Sequence, residues 1–138
     1  MNRLFRIATL AGLLAVATAC SQKDPAQEAI TAAGGTVEKL PLPPGTDDGA
    51  YLAALDDALA WVSEHDAPTL VVSLGMDTYA LDPIGGFKVT ASGYAAMGRR
   101  VAELGRPTVI LQEGGYHVAD LGANVVAFRT PVYESGAA

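Results

Sequence analysis

The chain has 138 residues, with 9 Lys plus Arg against 15 Asp plus Glu, 50% hydrophobic residues, two His and one Cys; this leaves room for one small domain and not two. Arg3 and Arg6 lie at the amino end, so the rest of the chain is more acidic than the net charge of −6 suggests, and an acidic surface excludes nucleic acid as a general partner. One cysteine cannot close an internal disulfide, and two histidines with one cysteine cannot form a self-contained structural zinc site, so any metal here leans on carboxylates.

The first predicted element is a leader. Arg3 and Arg6 precede an uncharged run from Ile7 to Ala19 that ends in small residues before Cys20, which is the basic, apolar, small order of a secretory signal. The run is shorter than the ~20 apolar residues a membrane-spanning helix requires. ATAC followed by SQ also resembles a bacterial lipoprotein signal, which makes Cys20 the lipidation residue and the lipid the only link to a membrane. The alternative is an ordinary apolar helix at the start of a cytoplasmic domain. Residues 21–35 are small and polar with a Gly-Gly end and read as a linker.

From Thr36 the pattern alternates strand and helix. Thr36 to Leu40 is a short β-prone run closed by PLPPG, whose prolines cannot donate to a ladder. Thr46 or Asp47 can cap a helix in which Tyr51, Leu52, Leu55, Leu59 and Val62 recur at helical steps. Thr69 to Leu74 is apolar without alternation, the pattern of a strand covered on both faces in a parallel sheet. Thr90 opens the next helix, with Tyr94, Met97, Val101 and Leu104 inside, and Gly105 and Pro107 stop it. Thr108 to Leu111 is a further buried strand, and Leu121, Val125 and Phe128 mark a last helix before a frayed tail over 131–138.

Strand and helix alternating at this spacing predict an α/β fold with a mostly parallel sheet and about three βα units. Ligands in such sheets sit beyond the carboxyl ends of the strands. The segments there are Ser73 to Phe87 and Gln112 to His117, both rich in glycine. Asp77 follows its strand closely on a Gly-containing turn, where a carboxylate suits zinc or a similar cation; the same side chain could instead make an Asx-type turn or cap a helix. Asp82, before Pro83, reads as a residue that holds its own loop. Gly114 and Gly115 allow the backbone to approach a ligand, and Tyr116 after them could donate a hydrogen bond to an oxyanion or simply pack at a strand end. His65 and His117 have no acidic or histidine partner at ligand spacing and read as surface or helix-end residues. Ser73 lacks the Gly-x-Ser-x-Gly turn of a serine nucleophile.

The blocks LPLPPGTDD, YLAALDDAL, VVSLGMDTYALDPIGGF and VILQEGGYH, in that order between Leu40 and Phe128, resemble the carboxy-terminal part of the histone deacetylase and acetylpolyamine amidohydrolase family. The EGGY and DPIGGF spellings are more similar to the acetylpolyamine amidohydrolase and class II branch than to class I. The resemblance implies part of an arginase-like, deacetylase-type three-layer fold over 36–130, and zinc-dependent hydrolysis of an acetyl amide on lysine or a polyamine. By the same resemblance Asp77 is a zinc ligand, Tyr116 polarises the acetyl carbonyl, and Ile84 borders the acyl tunnel.

The family also uses an Asp-x-His pair of ligands and two adjacent histidines upstream of the LPLP block. Nothing in residues 1–39 matches them, and His65 is the first histidine of the chain. The expectation is therefore a chain inactive alone, whose partner is a missing amino-terminal half or a second copy, with a sticky sheet edge between them. The alternative is a non-catalytic exported or lipid-anchored domain derived from the family.

Overall fold

In the computed structural model of the protein, residues 8–11 and 25–135 are described. The elements run β1 (Ala8–Ala11), α1 (Pro25–Ala32), α2 (Asp48–Ser63), β2 (Leu70–Leu74), α3 (Ala91–Glu103), β3 (Thr108–Gln112) and α4 (Val118–Ser135). All strand pairings are parallel, in the order β1-β2-β3. Leu70 stands opposite Thr108 and Leu74 opposite Gln112. On the other side of β2, Ala8 faces Leu70 and Ala11 faces Ser73. The protein is thus α/β with a small parallel sheet. Four residues of the apolar amino-terminal run stand in that sheet as a strand and not as the helix of the alternative reading, because they pair in parallel with β2; Cys20 lies outside the described residues.

Caps set the helix starts. The Asp47 side chain accepts from Ala50 N at 3.0 Å and opens α2, and Thr90 Oγ1 accepts from Gly93 N at 3.2 Å to open α3. Asp48, in the first turn of α2, also accepts from Thr90 N at 2.8 Å and from Thr90 Oγ1 at 2.6 Å, so one helix start braces the next. At the other end of α2, Arg106 donates to the carbonyls of Val62 and His65, both at 3.2 Å, and satisfies acceptors that the helix leaves open. Gly105, at φ +61°, turns the chain out of α3.

The core lies on one face of the sheet. Leu70, Val72 and Leu74 from β2 pack with Leu59 and Val62 of α2, Tyr94, Met97 and Val101 of α3, and Phe128 and Val132 of α4. Helices α3 and α4 approach closely at Gly98, where a β-carbon would fall against the backbone of Phe128. Arg100 Nε donates to Asp56 Oδ1 at 2.7 Å and ties α3 to α2.

Four expectations change. Thr36 to Leu40 is not a strand and pairs with neither outer edge of the sheet; β-prone composition alone does not make a strand. The stretch read as a linker contains helix α1, largely exposed. The expected frayed tail is helical to Ser135, because Val132 is buried in the core and holds the last turns down. Strand β3 is not covered on both faces: Val109 and Leu111 are 48% and 52% exposed, so no described element covers its outer face.

Candidate functional site

Because β2 and β3 are parallel neighbours, the segments after Leu74 and after Gln112 leave the same edge of the sheet. Backbone bonds carry the pairing on into the loops: Glu113 N donates to Leu74 O at 3.0 Å and Met76 N to Gly114 O at 2.8 Å. Asp77, half-buried, therefore lies directly against the glycine pair. A β-carbon at Gly114 would stand 2.6 Å from Asp77 Oδ2, and one at Gly75 would stand 2.8 Å from Asp77 Oδ1. Gly115 has φ +128°, and a β-carbon there would meet Met76 and Leu121. Both loop glycines are required by close approach, and Gly115 also by its backbone angle.

The first loop folds back on itself. Val89 N donates to Thr78 O at 3.2 Å and Ala80 N to Val89 O at 2.8 Å, while Gly45 N donates to Gly86 O at 2.6 Å and Lys88 N to Thr46 O at 2.8 Å. The proline-rich segment thus serves as a strap over the glycines of the DPIGGF block. Inside, Tyr94 shares a 2.8 Å hydrogen bond with Thr78 Oγ1 and donates to Met76 O at 3.2 Å. Burial pushes the Tyr94 phenol far above its ordinary value of 10.0, opposed by the Thr78 bond and assisted by nearby Tyr51, Asp77 and Asp82. Burial, then the charge of Asp77, raises Tyr51 as well. A small, mostly apolar cavity is lined by Tyr51, Leu55, Met97 and Phe128 together with Asp77 and Thr78.

Asp82 is 8% exposed and uses both carboxylate oxygens. Oδ1 accepts from Ile84 N at 2.9 Å and Gly85 N at 3.0 Å. Oδ2 accepts from Tyr116 N at 2.6 Å and His117 N at 3.3 Å. Burial by itself would raise this carboxyl, but the four backbone donors outweigh it and hold the group below its ordinary value. Ile84 and Tyr116 are exposed at 70% and 53% on either side of this junction.

His117 does have an acidic neighbour, contrary to the reading of its sequence surroundings. Its Nδ1 is 3.3 Å from Asp120 Oδ2, close enough for charge pairing although not aligned as a hydrogen bond. The same oxygen accepts from Tyr79 OH at 2.9 Å, and the Tyr79 and His117 rings are 5.6 Å apart. Asp120 thereby joins the first turn of α4 to the loop after β2. The signal was the three-residue step from His117 at the start of a helix. His65 is the helix-end residue expected of it, with Nδ1 2.7 Å from Trp61 O and Nε2 3.3 Å from Thr36 Oγ1.

The histone deacetylase domain matches residues 21–130. The chain belongs to the histone deacetylase family. It is 42% identical over 94 residues to the acetylpolyamine amidohydrolase of Mycoplana ramosa, covering 68% of this chain and 28% of that protein. It is 34% identical over 97 residues to histone deacetylase 10, chloroplastic, of Oryza sativa subsp. japonica, covering 66% of this chain and 22% of that one. Among solved structures, acetylpolyamine aminohydrolase from Burkholderia pseudomallei superimposes with a TM-score of 0.65 at 39% identity, over 68% of this chain and 28% of that one. The chain thus spans about a quarter of the length of the curated relatives it matches.

The family is zinc-dependent in general, so the residues present were weighed against that metal. Among the described residues there is no group of three or more His, Cys, Asp and Glu side chains that could hold an ion. Catalytic zinc takes three protein ligands and keeps a fourth position open. Asp77 can be one of these, and the described residues do not complete the set.

Proposed function

We propose that the chain is the carboxy-terminal portion of a zinc-dependent deacetylase acting on acetyl amides of lysine or polyamines, incomplete and inactive by itself. The observation that carries this reading is the shared sheet edge on which two neighbouring strands deliver Asp77 and the Gly114-Gly115-Tyr116 turn. In this reading Asp77 contributes one carboxylate ligand to a metal whose other ligands come from outside the described residues. The exposed Tyr116 phenol donates to the oxygen that turns anionic as the amide carbon becomes tetrahedral. Gly114 leaves room for the Asp77 carboxylate and Gly115 lets the turn close on Met76 and Leu121, so the pair places Tyr116 at the acyl group, and Ile84 borders its path. Since the described residues do not complete the metal site, no further step is assigned to them.

The test is complementation. The purified chain is expected to hydrolyse neither an acetyl-lysine peptide nor an acetylpolyamine and to hold well under one equivalent of zinc by elemental analysis. Addition of an amino-terminal fragment from an acetylpolyamine amidohydrolase, carrying the Asp-x-His and paired-histidine blocks, should restore both, and Asp77→Asn and Tyr116→Phe should abolish the restored activity. A chain that alone binds one equivalent of zinc and deacetylates would overturn the claim of incompleteness.

The amino end is proposed to be a lipoprotein-type leader, whose cleavage before Cys20 would take β1 out of the sheet and leave the mature protein outside the cytoplasm on a membrane through Cys20. The order of Arg3, Arg6, the apolar run and Cys20 supports it. An intact amino terminus on protein from the cytosolic fraction of a bacterial host, with no mass change on Cys20→Ser, would refute it.

A further inference from the structure

We propose that Asp82 is a positioning residue that locks the Tyr116 turn onto the Asp77 loop and so holds the two groups in register. The inference rests on the deacetylase reading above for the roles of Asp77 and Tyr116, and on geometry for the lock itself. The carboxylate divides its oxygens between the two loops: Oδ1 gathers Ile84 N and Gly85 N from its own, and Oδ2 gathers Tyr116 N and His117 N from the other. An ordinary Asx turn would use the first pair and stop there. Two consecutive amides converge on one oxygen across 34 residues of chain, and they belong to Tyr116 itself and the residue after it.

The lock reaches Asp77 through Gly85. A β-carbon on Gly85 would collide with the backbone carbonyl of Asp77 and lie 3.4 Å from Asp82 Cβ. Asp77, Gly85, Asp82 and Tyr116 therefore form one continuous line of contact. The charge matters as well as the shape, because four N–H donors converge on the group and only an ionised carboxylate accepts all four without presenting a hydrogen. Asparagine keeps one acceptor oxygen; the local turn to Ile84 and Gly85 re-forms on it, as Asx turns do with either residue, so the NH2 faces Tyr116 N and His117 N and opens that side.

Amide hydrogen exchange read by NMR on the full chain tests this without recourse to activity. In the wild type, Tyr116 and His117 amides should be protected although they lie in neither helix nor strand. In Asp82→Asn, Tyr116 and His117 should exchange faster by about tenfold or more, as for loss of a charge-assisted bond, while Val71 and Val72 in β2 and Met97 in α3 keep their protection and certify the fold. Asp82→Glu, which keeps the charge but lengthens the side chain, should disturb Tyr116 less than Asn does. Unprotected Tyr116 and His117 amides in the wild type would overturn the proposal, and so would a variant in which all amides lose protection in equal proportion or only Ile84 and Gly85 lose it. The zinc and complementation experiment reads Asp77 and Tyr116 independently, so failure of the lock and failure of the deacetylase reading give different results.

Discussion

The crest of the sheet and the outer face of β3 belong to the same strands and are treated in opposite ways. At the crest, loop backbone groups pair in succession: Met76 with Gly114, Ala80 and Val89 with their neighbours, and four amides with Asp82. A few residues down β3, Val109 and Leu111 stand about half exposed, beside Val71 and Ser73 in register. The contrast separates local loop geometry from cover of the sheet face. Local geometry of the site residues is built within this chain. Cover for the apolar face, and the ligands that would complete a metal site, are not found among the described residues.

The largest expected effect sharpens the contrast between the two faces of the sheet. Leu70 has no exposed surface and sits in the core, whereas Leu111 is 52% exposed on the other face. Leu70→Ala should cost about 2–5 kcal/mol, and Leu111→Ala no more than about 0.5 kcal/mol, both measured by urea unfolding of the full chain. Equal costs would mean that the outer face is covered in solution, and the comparison would fail.

Next in size is the contact between α3 and α4. Gly98→Ala forces a methyl group against the Phe128 backbone and should destabilise by about 1–3 kcal/mol. The same substitution at Gly122, where a β-carbon would meet nothing within 4 Å, should instead be neutral or gain up to about 1 kcal/mol through helix propensity. The pair separates packing from propensity on neighbouring helices.

Much of this was legible in the sequence, for reasons visible in particular residues. Asp47 and Thr90 as caps, the apolar steps of α2 and α3, and the stop at Gly105 and Pro107 are local signals, read over one helical turn. The placement of Asp77 and Tyr116 at one edge followed from two parallel strands. What sequence did not disclose was nonlocal. Thr36 to Leu40 has strand composition and yet pairs with neither outer edge of the sheet. Val132 carries α4 through Pro131 because the core receives it. TVILQ looks buried on both faces, but its outer cover would have to come from beyond the described residues. Asp82 was readable as a loop-holder from Asp-Pro, yet its reach to Tyr116 depends on the fold bringing the two loops together.

The response to pH distinguishes the crest from the core. The Asp82 carboxyl is lower in the folded chain than its ordinary 3.8, so it stabilises the fold above that value and loses its contribution as pH falls through the folded one. An acid limb in urea stability is expected, and Asp82→Asn should remove part of it. Tyr94 behaves in the opposite sense. Its phenol is raised far above 10.0 by burial, so its contribution is complete below pH 10 and declines as pH rises beyond it. Tyr94→Phe should flatten that alkaline limb while leaving the acid one in place.

The smallest effect belongs to Asp120, at the outer margin of the crest. It accepts from Tyr79 OH at 2.9 Å and lies 3.3 Å from His117 Nδ1, with side chains that are partly exposed. The hydrogen bond to Asp120, together with some burial and the carboxylate charge, raises the Tyr79 phenol. Water competes for a bond in this setting, and the contact of Asp120 with His117 is an exposed pair of the kind that adds little to stability. Asp120→Asn should therefore leave urea stability close to that of the wild type and bring the Tyr79 titration, followed by absorbance, down toward the ordinary tyrosine range. Tyr116 and His117 amide protection should survive the change, because Asp82 and not Asp120 holds those groups. If Asp120→Asn released the Tyr116 turn as fully as Asp82→Asn does, the crest would be held by a diffuse network, and the contrast between one locked junction and a bare face would have to be redrawn.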